Sequence, residues 1–279
     1  MRGWWREIAG LVLPVACGGC GRPRTELCPE CAAALTGTGP RRVRPAPEPA
    51  GLPAVHAAAP YAGVVREVLL AHKERGVLAL AGPLGEALAG AVETAAGAVA
   101  GAGEGPLLLV PVPSSRRSVR ARGHDPTRRI ALAAAARLRG AGRDTRVVPV
   151  LRQRRYVADQ AGLGARGRLA NLSGALEVVP GGARLLAACA GGAAETGGPA
   201  GTVVLVDDLM TTGASLAEAG RALGAVHLSF IPEIPHGLAA ASAQHGFEQR
   251  VAAVVASSPA SFEINRNSPR SWIVAGGER

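Results

Sequence analysis

Two adjacent carboxylates, Asp207 and Asp208, follow a run of four aliphatic residues at positions 203–206. Such a run is typical of a buried central strand of a parallel sheet. A Thr-Thr-Gly turn comes next, and a helix is predicted to begin near Ser215. Backbone amides at a helix start bind phosphate, and paired carboxylates accept hydrogen bonds from sugar hydroxyls. The segment therefore predicts a sugar-phosphate site, with an acidic turn after a core strand as the simpler alternative.

A second polar segment follows the strand that we predict at residues 107–113. It is rich in hydroxyl and guanidinium groups, among them Ser115, Arg116 and Arg117. Arginine binds pyrophosphate through bidentate contacts, whereas a solvated basic loop is the alternative. Loops at the carboxyl ends of strands in a doubly wound sheet share one crevice. We therefore expect this loop and the Asp207-Asp208 turn to contact the same ligand from two sides.

Four of the five cysteines form two Cys-x2-Cys pairs, Cys17 with Cys20 and Cys28 with Cys31. Each pair flanks a turn that directs two thiolates at one ion, and four sulfurs would close the shell of a structural zinc. Two disulfides are the alternative, which an exported protein would favour. A ribbon of this size suits contact with nucleic acid, docking to a protein or stabilisation of the fold, and the sequence leaves these roles open.

The formal net charge of the chain is +10, and Lys73 is the only lysine among its 31 basic residues. A positive charge attracts polyanions and phosphorylated ligands. An excess of arginine beside abundant alanine and glycine is also typical of GC-rich coding. The charge therefore permits a nucleic-acid partner without identifying one.

The chain has no apolar run longer than about 18 residues, so no membrane-spanning helix is predicted. Arg2 and Arg6 precede an apolar run at residues 8–16, a pattern that resembles a secretion signal. The run is short, contains Pro14 and leads directly into the cysteines. We instead expect a short amphipathic helix at residues 4–12, no membrane insertion and a cytoplasmic protein.

Strand and helix patterns alternate along the rest of the chain, which predicts an α/β fold with a parallel sheet and flanking helices. We divide the chain into an N-terminal helix and zinc ribbon (1–36), a Pro/Arg-rich linker (37–53), the α/β domain (54–256) and a C-terminal tail (257–279). Strands are predicted near residues 55–61, 107–113, 147–151, 203–206, 226–231 and 251–256. Helices are predicted near residues 64–69, 78–99, 126–139 and 215–223.

Three further segments lie between these elements. Residues 114–123 and 181–201 are predicted as loops. Residues 151–177 form the most basic segment after the linker. This segment is predicted to be a mobile lid over a phosphorylated substrate or a surface for a nucleic-acid backbone.

Four motifs in this order make a narrower match than any one of them alone. They are the N-terminal cysteine set, the Arg-rich loop that follows Val-Pro-Val-Pro and ends in Arg-Gly, the Gln-Ala-Gly-Leu segment with Arg-x-Arg and Asn-Leu-x-Gly, and the Asp-Asp-x-x-Thr-Thr-Gly turn. The last motif looks like the ribose-5-phosphate motif of the type I phosphoribosyltransferases. Together the four resemble the ComF family, phosphoribosyltransferase-like proteins associated with competence and DNA uptake.

The resemblance covers roughly residues 10–225 of this chain. One position departs from the family pattern, because His124-Asp125 stands where Phe-Asn or Tyr-Asn is usual after Arg-Gly. Residues 224–250 match no part of the family pattern.

The resemblance implies a type I phosphoribosyltransferase-like parallel sheet with flanking helices, plus a small N-terminal zinc ribbon. Its ligand would be phosphoribosyl pyrophosphate with Mg²⁺, the ion held chiefly by the pyrophosphate and the ribose hydroxyls. Asp207 and Asp208 would hold the 2′- and 3′-hydroxyls, and Ser115, Arg116 and Arg117 would neutralise the pyrophosphate. The residues that would surround the 5-phosphate are Thr211, Thr212, Gly213, Ala214 and Ser215.

Two functions stay open at this point. The first is a protein that binds phosphoribosyl pyrophosphate and transfers the phosphoribosyl group, which the acid pair favours. The second is a non-catalytic zinc-containing adaptor that binds single-stranded DNA or a helicase partner during DNA uptake, which the basic segments favour. No residue stands out as a general base, and no segment is recognisable as a nucleobase pocket.

Overall fold

A computed structural model describes residues 15–37, 39–99, 105–155, 165–190, 201–229 and 250–266. The described chain is an α/β protein with a six-stranded, mostly parallel sheet and a separate two-stranded sheet. The strands are β1 (Arg41–Val43), β2 (Ala54–Pro60), β3 (Leu107–Pro111), β4 (Thr145–Val147), β5 (Leu151–Gln153), β6 (Leu176–Val178), β7 (Thr202–Met210) and β8 (Val251–Ser257).

The described part of the chain also contains nine helices and one 3-10 turn (Leu78–Leu80). The helices are α1 (Pro29–Thr36), α2 (Gly63–Lys73), α3 (Ala81–Gly97), α4 (Arg116–Arg122), α5 (Pro126–Gly140), α6 (Ala165–Leu172), α7 (Gly182–Cys189), α8 (Ala214–Ser229) and α9 (Pro259–Arg266).

The main sheet has the strand order β1-β2-β8-β7-β3-β4, and only β1 runs antiparallel to its neighbour. From β3 the chain crosses to β4 on one side, whereas from β7 it crosses to β8 on the other side. The boundary between β3 and β7 is therefore the switch point of the sheet. In open α/β sheets, ligands bind at the carboxyl ends of the strands that flank such a point.

The aliphatic run of β7 is buried on both faces of the sheet, as the sequence predicted. Val204 and Val206 pack with α2, α3 and α5 in one core cluster. Val203 and Leu205 pack with α8 and the small sheet in a second cluster. The alternation follows from the two-residue period of a strand, and it explains why the whole run is apolar.

Four predictions of local structure are wrong. The strand predicted at residues 147–151 is replaced by two short strands, β4 and β5, with residues 148–150 between them. Residues 116–122, predicted as loop, form α4, because Ser115 caps the helix through the Ser118 amide and Gly123 ends it with a φ of 74°. Within residues 181–201, predicted as loop, Gly182–Cys189 is α7. Residues 226–229, predicted as strand, continue α8, since a short apolar run does not distinguish strand from helix.

The remaining residues of that predicted strand, 230–231, lie outside the described residues, as does the amphipathic helix predicted at residues 4–12. The helix predicted at residues 126–139 is confirmed as α5. Its start is defined by Asp125, whose carboxylate accepts from the Arg128 amide, and by Pro126 in the first turn. No helix in the described ranges is both long and apolar enough to cross a membrane.

The Pro/Arg-rich segment at residues 37–53 contributes to the main sheet. Its β1 pairs antiparallel with β2, with Arg42 opposite His56. Helix α9 covers this edge, where the Arg44 amide donates to the Ser261 carbonyl and the Arg41 guanidinium lies 5.7 Å from the Phe262 ring centre. The edge strand is therefore paired on one side and covered by a helix.

Candidate functional site

A cleft of about 1070 Å³ opens at the carboxyl end of β3 and β7, at the switch point of the sheet. It is lined by residues from both segments that the sequence singled out. From the first segment come Ser115, Arg116 and Arg117, and from the second come Asp207, Asp208, Thr211 and Ser215. Thr212, Gly213 and Ala214 belong to the same turn but do not line the cleft. The fold thus brings together two segments that are about ninety residues apart in sequence.

The acid pair lies within β7, three and two residues before its end, and not beyond the strand as the sequence suggested. Strand β3 pairs with β7 only as far as Val206, opposite Pro111. Asp207 continues to pair with Val254 of β8. The edge of β7 on the side of β3 is therefore unpaired beside the two carboxylates. This unpaired edge forms the floor of the cleft.

Lys73, at the end of α2, forms an ion pair with Asp208 in which Nζ and Oδ2 are 2.7 Å apart. The side chain of Asp208 is 5% exposed and that of Lys73 is 32% exposed. Asp207 is held differently, because its Oδ1 accepts from the Asp208 amide at 2.8 Å and from Thr127 Oγ1 at 3.3 Å. The two carboxylates therefore have different electrostatic environments.

The pKa values of the two acids move in opposite directions. Burial raises the pKa of Asp207 well above its usual range, and the neighbouring Asp208 charge adds to the rise. Burial also opposes ionisation of Asp208, but the Lys73 ammonium outweighs it and holds the pKa of Asp208 below its ordinary value. Asp208 is therefore the more readily ionised carboxylate of the pair, and burial disfavours a charge on Asp207.

Asparagine substitutions at the two positions are expected to change the free energy of unfolding in opposite directions. Asp207→Asn keeps the oxygen that accepts both hydrogen bonds and removes the costly charge, so we expect a gain of about 1 kcal/mol in the free energy of unfolding at pH 7. Asp208→Asn leaves the Lys73 ammonium without its partner, and we expect a loss of about 2 kcal/mol. Chemical denaturation of the two variants and the wild type measures both values.

The pH dependence gives a second check with a defined sign. Because the pKa of Asp207 is raised on folding, the wild type loses stability as pH rises from the ordinary aspartate value through the raised value. The gain from Asp207→Asn should therefore shrink as pH falls toward about 4, where Asp207 is protonated in the native wild type. A gain that stays constant between pH 4 and pH 7 contradicts the assignment.

The Thr-Thr-Gly turn joins β7 to α8 in a conformation that depends on glycine. Gly213 has a φ of 76°, and a Cβ there would lie 3.0 Å from the Leu52 side chain and 3.4 Å from Pro45. Helix α8 begins at the next residue, and the Ala217 amide donates to the Gly213 carbonyl. The turn therefore rests against the segment that follows β1, which holds its backbone at the start of a sixteen-residue helix.

Helix α4 forms the opposite wall of the cleft and has no buried residue. Arg116 and Arg117 are exposed in its first turn. The Ser115 hydroxyl caps the helix, accepting from the Ser118 amide at 3.0 Å and donating to the Ser118 hydroxyl at 2.7 Å. Arg122 holds the far end of α4 through two hydrogen bonds to the Glu74 carboxylate, at 2.7 and 3.0 Å.

No protein-family model matches this chain, and no curated protein is significantly similar to it. The chemistry of the cleft is therefore argued from its own residues.

The four cysteines of the two Cys-x2-Cys pairs form one cluster, as predicted. Their sulfur atoms all lie within 4.8 Å of one another, and Cys20 Sγ is 3.7 Å from Cys28 Sγ. A tetrahedral zinc with bonds of about 2.3 Å requires sulfur separations of about 3.8 Å. All four are free thiols, so the set fits a structural zinc and not a pair of disulfides.

Backbone amides donate hydrogen bonds to a sulfur atom of the cluster. The Cys28 amide donates to Cys17 Sγ at 3.3 Å. Burial alone would raise the pKa of Cys17, but hydrogen bonds from the backbone of Cys20, Cys28 and Gly19 lower it to about 6. Burial raises the pKa of Cys31. Amide donors of this kind favour the thiolate that binds a metal.

The sequence did not predict Lys73 or Thr127 as site residues. The one available signal was that Lys73 is the only lysine in a chain rich in arginine. Its partner Asp208 is 135 positions away in sequence, so no local pattern connects them. A second cleft of about 550 Å³ lies between β6 and α8, and none of the predicted site residues lines it.

Proposed function

We propose that this chain binds phosphoribosyl pyrophosphate, or a closely related phosphorylated ribose, in the cleft at the carboxyl ends of β3 and β7. The proposal rests on one observation. An acid pair, a turn at the start of a helix and an exposed pair of arginines all line one cleft at the switch point of the sheet. A ligand with two hydroxyls, a phosphate and a pyrophosphate offers one kind of group to each of these three features, in that order. The resemblance to the ComF family, based on the same motifs, supports the same ligand.

The acid pair would bind the ribose. Carboxyl oxygens accept hydrogen bonds, so Asp207 and Asp208 suit the two vicinal hydroxyls of the sugar. Lys73 donates to Oδ2 of Asp208, and a carboxylate has several lone pairs, so it can also accept from the ligand. Lys73 therefore fixes the orientation of Asp208 and offsets the charge of the pair.

The exposed arginines on α4, which we call the arginine wall, would bind the pyrophosphate. Arg116 and Arg117 are exposed at the cleft, and no acid in the described part of the chain pairs with either of them. Guanidinium groups form bidentate contacts with phosphate oxygens. The turn from Thr211 to Ser215 would take the 5-phosphate with its amides and hydroxyls, at the start of α8.

A divalent ion would reach this site with the ligand. Among the described residues, the cysteines are the one group of three or more His, Cys, Asp or Glu side chains placed to share an ion. Mg²⁺ at the cleft would therefore be held chiefly by ligand oxygens, with the acid pair near it. When bound, Mg²⁺ would neutralise part of the pyrophosphate charge.

The proposed transfer breaks the bond between the anomeric carbon and pyrophosphate and forms a bond from that carbon to an acceptor nucleophile. Positive character develops on the ribose as pyrophosphate leaves, and the negative charge of the acid pair would stabilise it. Arg116 and Arg117 would stabilise the departing pyrophosphate. An acceptor nucleobase is the expected nucleophile by resemblance to the phosphoribosyltransferases.

Calorimetric titration of phosphoribosyl pyrophosphate with Mg²⁺ into the zinc-loaded protein tests binding directly. We expect saturable binding with one site per chain, and an assay for released pyrophosphate over a panel of nucleobases then tests transfer. Binding with turnover identifies a transferase and its acceptor. Binding without turnover indicates a ligand-regulated adaptor, and the absence of binding contradicts the proposal.

A second candidate function is binding of single-stranded DNA, as part of an adaptor with a helicase partner. The observation that favours it is the exposure of Arg116, Arg117 and Arg120 along α4, in a chain of net charge +10. Phosphate contacts of this kind weaken as salt rises. Replacing the three arginines with glutamine should weaken binding of a fluorescent oligonucleotide and flatten its salt dependence, and an unchanged affinity contradicts this function.

A further inference from the structure

Four consecutive residues at the end of α2, residues 72–75, contact four different parts of the molecule. We call them the junction segment. The His72 ring lies 5.6 Å from the His124 ring, Lys73 pairs with Asp208, Glu74 holds Arg122 of α4, and Arg75 donates to the Gly18 carbonyl. A single short segment therefore touches the cleft, the arginine wall and the cysteine cluster.

The junction segment contacts the cysteine cluster through a side chain that donates to the backbone of the first cysteine turn. Arg75 Nη2 donates to the Gly18 carbonyl at 3.2 Å and to the Glu67 carbonyl at 3.0 Å, so it links the first cysteine turn to α2. A Cβ on Gly18 would lie 2.7 Å from the Leu80 side chain and 3.3 Å from Ala71. The turn between Cys17 and Cys20 is therefore packed directly against α2 and the 3-10 turn.

The contact with the cleft is equally direct. His72 is fully buried, and its ring packs against His124, at the junction of α4 and α5. Lys73 and Glu74 make the ion pairs to Asp208 and Arg122, both at 2.7 Å. The Asp208 side chain and the far end of α4 are therefore both linked to the end of α2.

From these contacts we infer that metal occupancy of the cysteine cluster and ligand binding in the cleft are thermodynamically coupled through the junction segment. A four-thiolate knuckle is ordered by its metal. Loss of the metal would release the Cys17–Cys20 turn from α2 and remove one support of the segment that positions Lys73 and Glu74. By reciprocity, ligand that holds the junction segment in place stabilises the metal-bound cluster. The inference rests on the proposed function for its ligand.

Equilibrium competition for zinc with a chromogenic chelator tests the coupling, measured with the full-length protein at saturating phosphoribosyl pyrophosphate and Mg²⁺ and without them. We expect ligand to raise the zinc affinity at least about five-fold, the lower end of typical coupling between sites, and we call this fold-increase the protection. Protection below about two-fold overturns the inference. The Arg75→Ala variant removes the side-chain link, and we expect it to lose at least half of the protection while still binding zinc and ligand.

Arg22→Ala is the matched control. Arg22 also lies on the cysteine ribbon, but it pairs with Glu30 on the exposed side of the ribbon and not with α2. We expect this variant to keep the wild-type protection. Equal protection in Arg75→Ala and Arg22→Ala, at the wild-type value, overturns the inference, because the junction segment would then not carry the coupling.

Hydrogen exchange without ligand separates failure of the coupling from failure of the proposed function. Chelation is expected to accelerate exchange of the amides at residues 207–213, which lie far along the chain from the cysteines. Unchanged exchange there overturns the coupling even if the ligand binds. Absence of calorimetric binding to the zinc-loaded wild type, with accelerated exchange after chelation, contradicts the proposed ligand and leaves the coupling supported.

Discussion

Replacing Asp207 and Asp208 with asparagine, together with Lys73→Met, is expected to weaken binding of phosphoribosyl pyrophosphate at least about 100-fold. Hydrogen bonds to charged groups contribute about 1.5–3 kcal/mol each, and the variant loses two charged acceptors. Lys73→Met is included because Lys73 pairs with Asp208. Without this change the unpaired ammonium would destabilise the protein, and a loss of stability could be mistaken for a loss of binding. Calorimetry measures the affinity, and metal analysis should show unchanged zinc content.

The control for this variant is Asp144→Asn. Asp144 pairs with Arg146 at 3.1 Å and precedes β4, at the amino end of the parallel strands and so on the edge of the sheet opposite the cleft. We expect its affinity to equal that of the wild type. If the triple variant binds the ligand as tightly as the control does, the acid pair does not hold the ribose.

Cys28→Ser is expected to remove the metal and unfold the ribbon. Cys28 is 1% exposed, its sulfur lies 3.7 Å from Cys20 Sγ and its amide donates to Cys17 Sγ. A hydroxyl is a poor zinc ligand, and small four-thiolate modules depend on their metal for folding. We expect zinc to fall from about one per chain to near zero, and limited proteolysis to cleave within residues 15–37.

Cys189→Ser supplies the matched control for this experiment. Cys189 is also a free thiol, but it lies at the end of α7, partly buried against the core cluster on the opposite face of the sheet. Its replacement should leave the zinc content and the proteolysis pattern of residues 15–37 unchanged. Absence of zinc from the metal-loaded wild type, or retention of zinc by Cys28→Ser, contradicts a structural metal at the cluster.

The sequence determined the features that depend on local pattern. The aliphatic run before Asp207 predicted a core strand, because a strand buried on both faces has no polar position to alternate. The cysteine spacing predicted a cluster that fits zinc, because two residues between thiols suffice to direct them at one ion. The helix predicted near residues 126–139 is confirmed as α5. The α/β class and the parallel sheet are confirmed, whereas the type I phosphoribosyltransferase fold and the ligand remain proposals.

Tertiary structure decided the features that depend on distant partners. Lys73 became a site residue only because α2 ends beside Asp208, 135 positions away in the chain. Residues 41–43 became an edge strand because β2 offered an unpaired edge. The acid pair is open to a ligand because β7 extends past the end of β3. Each of these depends on strand order and helix packing, which fix the contacts between segments that no local pattern relates.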